Sequence, residues 1–383
     1  MSAFDSTNLM ITNYRVAIYI PCLTGGGAEI SMHRLAAGLA KEGFNVDFLV
    51  SNSIGPDAEE VASNLTQMPE GVNFIDFKAR TPRASVGPLV RYLKKQRPAA
   101  IISFGHNANV VALLARRLAS VQSRNILSIQ NNFSAEVKNA TTKHEKLMVN
   151  AARLSYGSAD VVTAVSRGVA DDMARVLRRK KSWVKVIYNP IVSQEITEKA
   201  HQSVEHEFFR QDTPPVIMSI GRLEPQKDYR TLIQAFAKVR KRRPCRLVIF
   251  GQGYLRTELE ELSRQLGIES DISMPGYTSN PYAFLSKASL FVLSSIHEGL
   301  PTVLIEAMAC GCPVVSTDCP SGPMEILDGG KWGGLVPMQN VDELAESIDQ
   351  SLAMPNTAAP PESWKPYTVE ASVSAYIKVI RGH

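Results

Sequence analysis

Two carboxylates, two cations and several glycine turns carry the chemistry this chain can do. Glu298 stands in a short turn after the apolar run Leu290–Leu293. A helix follows, opened by Pro301 and closed by Gly311, and Glu306 lies on it about two turns past Glu298. The start of that helix offers main-chain N–H groups and the positive end of its dipole above the sheet edge. Gly299, Leu300, Pro301 and Thr302 form its approach. An anion suits the helix start, whereas carboxylates are poor phosphate ligands and good acceptors for hydroxyl groups. A ligand with a diphosphate and several hydroxyls, such as a nucleotide sugar, satisfies both. A surface acid and a solvated helix acid would show the same spacing.

Arg222 and Lys227 flank a second strand-to-helix turn that opens with Gly221. Arginine grips phosphate through two parallel N–H groups and lysine acts as a point charge. Two such cations can stabilise a phosphate leaving group where other enzymes use a metal; the plainer alternative is a surface ion pair. Gly251 and Gly253 follow the apolar run 247–250 and either admit a base or ribose edge or make only a tight turn. In the first half, the strand Arg15–Cys22 runs into Gly25, Gly26 and Gly27 and then a helix to about residue 42. Strand, glycine turn and helix make an anion-binding opening of the dinucleotide-fold kind. It lacks the GxGxxG spacing, so nicotinamide and flavin are not indicated. His106 and Asn107 end another strand, either as a helix start capped by Asn107 or as a polar wall of an acceptor pocket. Gln130 and Asn131 end the next.

These turns need a scaffold, and the apolar pattern supplies one. Short apolar runs near 45–50, 72–77, 99–105, 125–130, 160–166 and 184–189 alternate with amphipathic stretches, and a second series starts at 216. Such a rhythm predicts parallel sheets covered on both faces, with ligands beyond the C-terminal strand ends. A length of 383 residues predicts two domains. We expect a first domain over 1–192, a polar crossing over 193–215 and a second domain over 216–367, with residues 368–383 a candidate to pack back on the first.

Composition excludes several classes. No apolar run reaches the roughly 18 residues of a membrane span, and residues 1–13 do not read as a signal peptide. The expectation is therefore a cytoplasmic protein. Five cysteines in or beside apolar runs read as buried free thiols rather than disulfides or a metal site. Charge is uneven: residues 1–200 hold 25 Lys and Arg against 16 Asp and Glu, and the rest hold 17 against 21. Basic clusters at Lys94, Lys95 and Arg97, at Arg116 and Arg117, and at 178–181 beside Trp183 suit either solvated helix ends or contact with an anionic membrane at its inner face. No nucleic-acid recognition module is visible.

The glycine turn at 25–29, the Asn189-Pro190 joint, Gly221-Arg222 with Lys227, Gly251-x-Gly253, and Glu298 and Glu306 with seven residues between them together resemble glycosyltransferase family 4, the retaining enzymes of GT-B fold. The resemblance spans nearly the whole chain and is densest over 216–337. It implies an α/β protein of two Rossmann-like, doubly wound domains facing across a cleft. It implies that Arg222, Lys227 and Glu298 are catalytic, with the cations on the diphosphate and Glu298 on the donor sugar beside Gly299 and Leu300. Glu306 would bind the ribose, and the glycine loop 25–27 would close over a donor held by Gly221, Gly251 and Gly253. His106, Asn107, Gln130 and Asn131 are acceptor-side candidates. No metal and no cofactor are expected. Many relatives carry a histidine where this chain has Gln130-Asn131-Asn132, so the sugar contact of the first domain is left open. Residues 318–326 are similar to those of bacterial members that extend lipid-linked oligosaccharides from UDP-sugars. The alternatives are a GDP-mannose-dependent transferase and a non-catalytic nucleotide-sugar-binding component of a glycan assembly complex.

Overall fold

The computed structural model describes residues 14–23, 26–52, 68–139, 150–354 and 358–382. The chain divides into two compact units, Met1–Pro190 with Thr368–His383, and Ile191–Tyr367.

The first unit is built on a seven-stranded parallel sheet: β1 (Arg15–Cys22), β2 (Asn45–Asn52), β3 (Val72–Asp76), β4 (Ala100–Phe104), β5 (Arg124–Ile129), β6 (Val161–Ala164) and β7 (Val184–Val186). The spatial order is β3-β2-β1-β4-β5-β6-β7. Chain direction across the sheet reverses between β1 and β4, whose residues pair from Val16 with Ala100 to Tyr19 with Ser103. Val16 to Tyr19 are fully buried because helices cover both faces of the sheet. The last helix, Val369–Arg381, joins this unit through Val373, Tyr376, Val379 and Ile380. Its spacing of apolar residues makes one buried face.

The second unit holds six parallel strands: β8 (Val216–Ile220), β9 (Arg246–Phe250), β10 (Ile272–Gly276), β11 (Leu290–Leu293), β12 (Val314–Thr317) and β13 (Gly334–Val336), in the order β10-β9-β8-β11-β12-β13. Its reversal falls between β8 and β11. Both sheets are thus doubly wound, and each opens a crevice where its first strand neighbours its fourth.

Residues 193–215, expected as a crossing, belong to the second unit. A helix at Gln194–Ala200 and a turn at Glu207–Phe209 bury Ile196 and Phe208. The Asn280 side chain donates to the Lys199 carbonyl at 3.1 Å, and the Ser286 hydroxyl to that of Ala200 at 2.7 Å. Apolar residues at 196 and 208–209, set in a polar stretch, are enough to dock it.

Candidate functional site

The crevice between β8 and β11 holds the charged residues. After β8 the chain turns through Gly221 and Arg222, makes a short 3-10 turn at Pro225–Lys227 and enters the helix Tyr229–Arg242, capped by Asp228. After β11 it passes Ser294 and Ser295, turns at Glu298 and enters the helix Thr302–Ala309. The two turns are laced together. The Ile296 N–H donates to the Gln226 carbonyl at 2.9 Å, the Gln226 side chain to the His297 carbonyl at 2.8 Å, and the Ser294 hydroxyl to the Lys227 carbonyl at 2.6 Å. This brings Lys227 Nζ to 2.6 Å from Glu298 Oε1. The side chains are only 16% and 10% exposed, so the pair is held largely out of water. The main chain of Glu298 is pinned on both sides, its N–H to the Pro320 carbonyl at 2.7 Å and its carbonyl by the Ser321 N–H at 3.0 Å.

Glycines let the neighbouring turn stack on this one. A Cβ on Gly251 would lie 1.9 Å from the Gly221 carbonyl oxygen, and one on Gly253 2.4 Å from that of Leu223. The Leu223 N–H donates to the Gln252 carbonyl at 2.8 Å across the same contact. Gly251 and Gly253 are therefore glycines because backbone passes over backbone.

Arg222 stands apart from Lys227: it is 70% exposed and pairs with Glu224 at 3.0 Å. Glu306 is buried in the helix Thr302–Ala309 and accepts from the Tyr282 hydroxyl at 3.2 Å. Pro301 takes the N-cap position, so the helix begins at Thr302, with Gly299 and Leu300 in the turn before it. All five cysteines are free thiols. Burial, with Glu298 nearby, pushes the Cys319 thiol up to about 12, so it stays protonated and is no nucleophile.

The first unit's crevice holds a hydrogen-bonded set of polar side chains. Gly26 caps the helix Gly27–Lys41; Gly25 lies outside the described residues. The helix after β4 starts at Gly105 with Phe104 at the cap, which displaces Asn107 from the capping role into the first turn. Gly105 takes φ +78° there, a turn that the reading of Asn107 as cap did not anticipate. His106 Nδ1 lies 2.6 Å from the Tyr156 hydroxyl, and Asn109 donates to the same oxygen at 3.2 Å. Gln130 bridges the Ser128 hydroxyl at 2.8 Å and the Asn189 amide at 2.9 Å. Asn131 is exposed, and Asn132 accepts from the Ala135 N–H at 3.0 Å. Sequence reasoning missed Ser295, Tyr282 and Tyr156. Ser295 had one signal, a small hydroxyl residue two positions beyond a buried strand; the tyrosines had none.

Among the described residues, no group of three or more His, Cys, Asp or Glu side chains is placed to hold a metal, and no helix is long and apolar enough to cross a membrane.

The Glycosyltransferase Family 4 model matches residues 25–195, and the Glycosyl transferases group 1 model matches residues 202–368. The chain is 28% identical over 257 residues to an N-acetylgalactosamine-N,N'-diacetylbacillosaminyl-diphospho-undecaprenol 4-alpha-N-acetylgalactosaminyltransferase of Campylobacter jejuni, covering 65% of this chain and 66% of that one. It is 26% identical over 328 residues to an amylovoran biosynthesis glycosyltransferase of Erwinia amylovora, covering 79% and 88%. The chain spans between half and two thirds of the length of the first curated relatives it matches, 66%, 60% and 52%. Among solved structures, Anabaena HepE in complex with UDP and glucose matches with a TM-score of 0.76 at 20% identity, covering 97% of this chain and 100% of that one. Sucrose-phosphate synthase from Thermosynechococcus elongatus matches at 0.78 and 18%, covering 96% and 98%. At these identities the likeness is one of fold.

Proposed function

The chain belongs to glycosyltransferase family 4, with the GT-B architecture, and from that premise we propose that it moves a sugar from a nucleotide diphosphate sugar to a hydroxyl of a glycan in bacterial surface-polysaccharide biosynthesis. The observation that carries this reading is the buried contact of Lys227 with Glu298 at the crevice of the second sheet. A cation and an acceptor side by side match the two parts of such a donor, its phosphates and its sugar hydroxyls. Lys227 takes the diphosphate, and Arg222 swings from Glu224 to join it. Glu306 binds the ribose and Glu298 the sugar. The bond from C1 to the phosphate oxygen breaks as the acceptor oxygen bonds C1 on the same face. The acceptor's proton passes to the departing phosphate, so configuration is retained without a strong protein base. Catalysis then rests on alignment and on cations fixed where negative charge develops. Neither metal nor cofactor takes part.

UDP is the favoured nucleotide, with GDP the alternative, and the acceptor is lipid-linked. Two features support that acceptor. Arg117 falls in the last turn of the helix Gly105–Ala119, whose outer face exposes Leu114 and Leu118 by 45% and 55%, while Arg116 is turned to an ion pair with Asp160 at 2.8 Å. Basic and apolar side chains on one exposed face suit the inner surface of an anionic membrane.

Thermal denaturation with UDP, GDP and ADP tests the reading. The correct nucleotide at 100 times its Kd adds about 2.7 kcal/mol to stability. A melting temperature unmoved by all three, or transfer that a chelator abolishes, overturns it.

A further inference from the structure

Glu298 is held asymmetrically. Lys227 Nζ at 2.6 Å and the Ser295 hydroxyl at 2.7 Å both bind Oε1. Among the described residues, Oε2 receives no hydrogen bond. Ser295 is fully buried. Its own carbonyl accepts from the Thr317 hydroxyl at 2.6 Å, which ties it to the neighbouring strand β12. The serine is thus anchored from below and its O–H is directed at the carboxylate.

We infer that Ser295 is the positioning residue of sugar recognition, fixing Glu298 through Oε1 so that Oε2 alone meets the sugar hydroxyl. This rests on the donor role proposed above for the same crevice. Lys227 and Ser295 are not equivalent anchors. Lys227 carries charge on a flexible stem, and a diphosphate draws it away from Glu298. Ser295 has a one-carbon side chain in a closed environment and cannot follow. Once the donor is bound, the serine is the contact that still orients the carboxylate. An acceptor held in place before the ligand arrives keeps its orientation without reorganising. Ser295 therefore acts on the sugar half of the donor and leaves the nucleotide half untouched.

The test is Ser295→Ala, read by calorimetric titration with nucleotide diphosphate and then with nucleotide sugar, and by steady-state transfer. Affinity for the nucleotide stays within twofold of the parent. The extra affinity that the sugar confers falls, and kcat/KM drops about tenfold or more, the value of one hydrogen bond to a charged group. In a Glu298→Gln background the serine substitution adds little, because its route to the sugar is already cut. Should Ser295→Ala melt early, Ser295→Cys makes the same test, since it keeps the volume and has only a weak S–H donor. Unchanged sugar affinity and kcat/KM in a folded variant overturn the inference while leaving the donor role standing. So does an equal loss for nucleotide and nucleotide sugar. A parent protein that binds no nucleotide diphosphate removes the donor role itself.

Discussion

The two sheets of this protein share a winding order and differ in what they place at its reversal. Beyond β8 and β11 lies a buried ion pair, Lys227 with Glu298, and Gly221 beside Lys227 belongs to one of two stacked glycine turns. Beyond β1 and β4 lies a hydrogen-bonded set, His106, Tyr156 and Asn109. Net charge runs the other way. The first 200 residues carry the excess of basic side chains, and among the described ones Arg116 and Arg117 lie at a helix end. Whole-domain charge therefore reports on surfaces, and the sign of a site is set by a few residues on particular turns. A charged crevice suits a phosphate-bearing ligand, and a set of hydrogen-bonding side chains suits hydroxyls.

The sharpest break of this comparison uses one glycine beside the second unit's crevice and one at the first's. Gly251 has a carbonyl oxygen 1.9 Å from where a Cβ would be, whereas Gly105 has nothing within 4 Å. Gly251→Ala is expected to cost about 3 kcal/mol or more, since backbone must move on both turns. Gly105→Ala is expected to cost about 1 to 2 kcal/mol, from its left-handed φ of +78° alone. Denaturant titration of both variants checks the ranking. Equal losses would mean that the stacked turns of the second unit are not rigid.

Next in size is the exchange of function between crevices. Lys227→Ala should lower kcat about 100-fold or more, as for the loss of one oxyanion donor. His106→Gln should leave donor affinity alone and weaken use of the acceptor by about tenfold, the worth of a buried hydrogen bond. Steady-state kinetics with each substrate varied in turn separates the two. A His106 variant that binds donor poorly would end the division of labour.

The fold was legible because parallel strands buried on both faces are short apolar runs, and 216–220 and 290–293 are too short for helices and are followed by turns. Lys227 and Glu298 were legible from residue type and from their place after such runs. The 71 positions that separate them in the chain hid their contact, because only strand order makes β8 and β11 neighbours. The docking of 193–215 was hidden too. Its apolar residues are few and irregularly spaced, and the residues that receive the segment, Phe284, Asn280 and Ser286, lie far along the chain. Tyr156 escaped for the same reason, as it meets His106 from 50 positions away.

The smallest expected effect concerns acid. In the docked segment, the His206 ring lies 3.0 Å from the Ser273 hydroxyl. Burial lowers its pKa from the ordinary 6.5, against a smaller opposing pull from Glu207. Below about pH 6.5 the unfolded chain binds this proton more readily than the folded one, so stability is full above that pH and declines beneath it. The decline ends where the folded ring also protonates. Because the group is half exposed, solvent screens most of the effect, and about one or two degrees of melting temperature is expected between pH 7.5 and 5.5. His206→Gln keeps a polar partner for Ser273 and should flatten that limb while leaving nucleotide binding unchanged. If the acid limb persists in this variant, His206 is not its source, and the docked segment is not the second unit's weak point in acid.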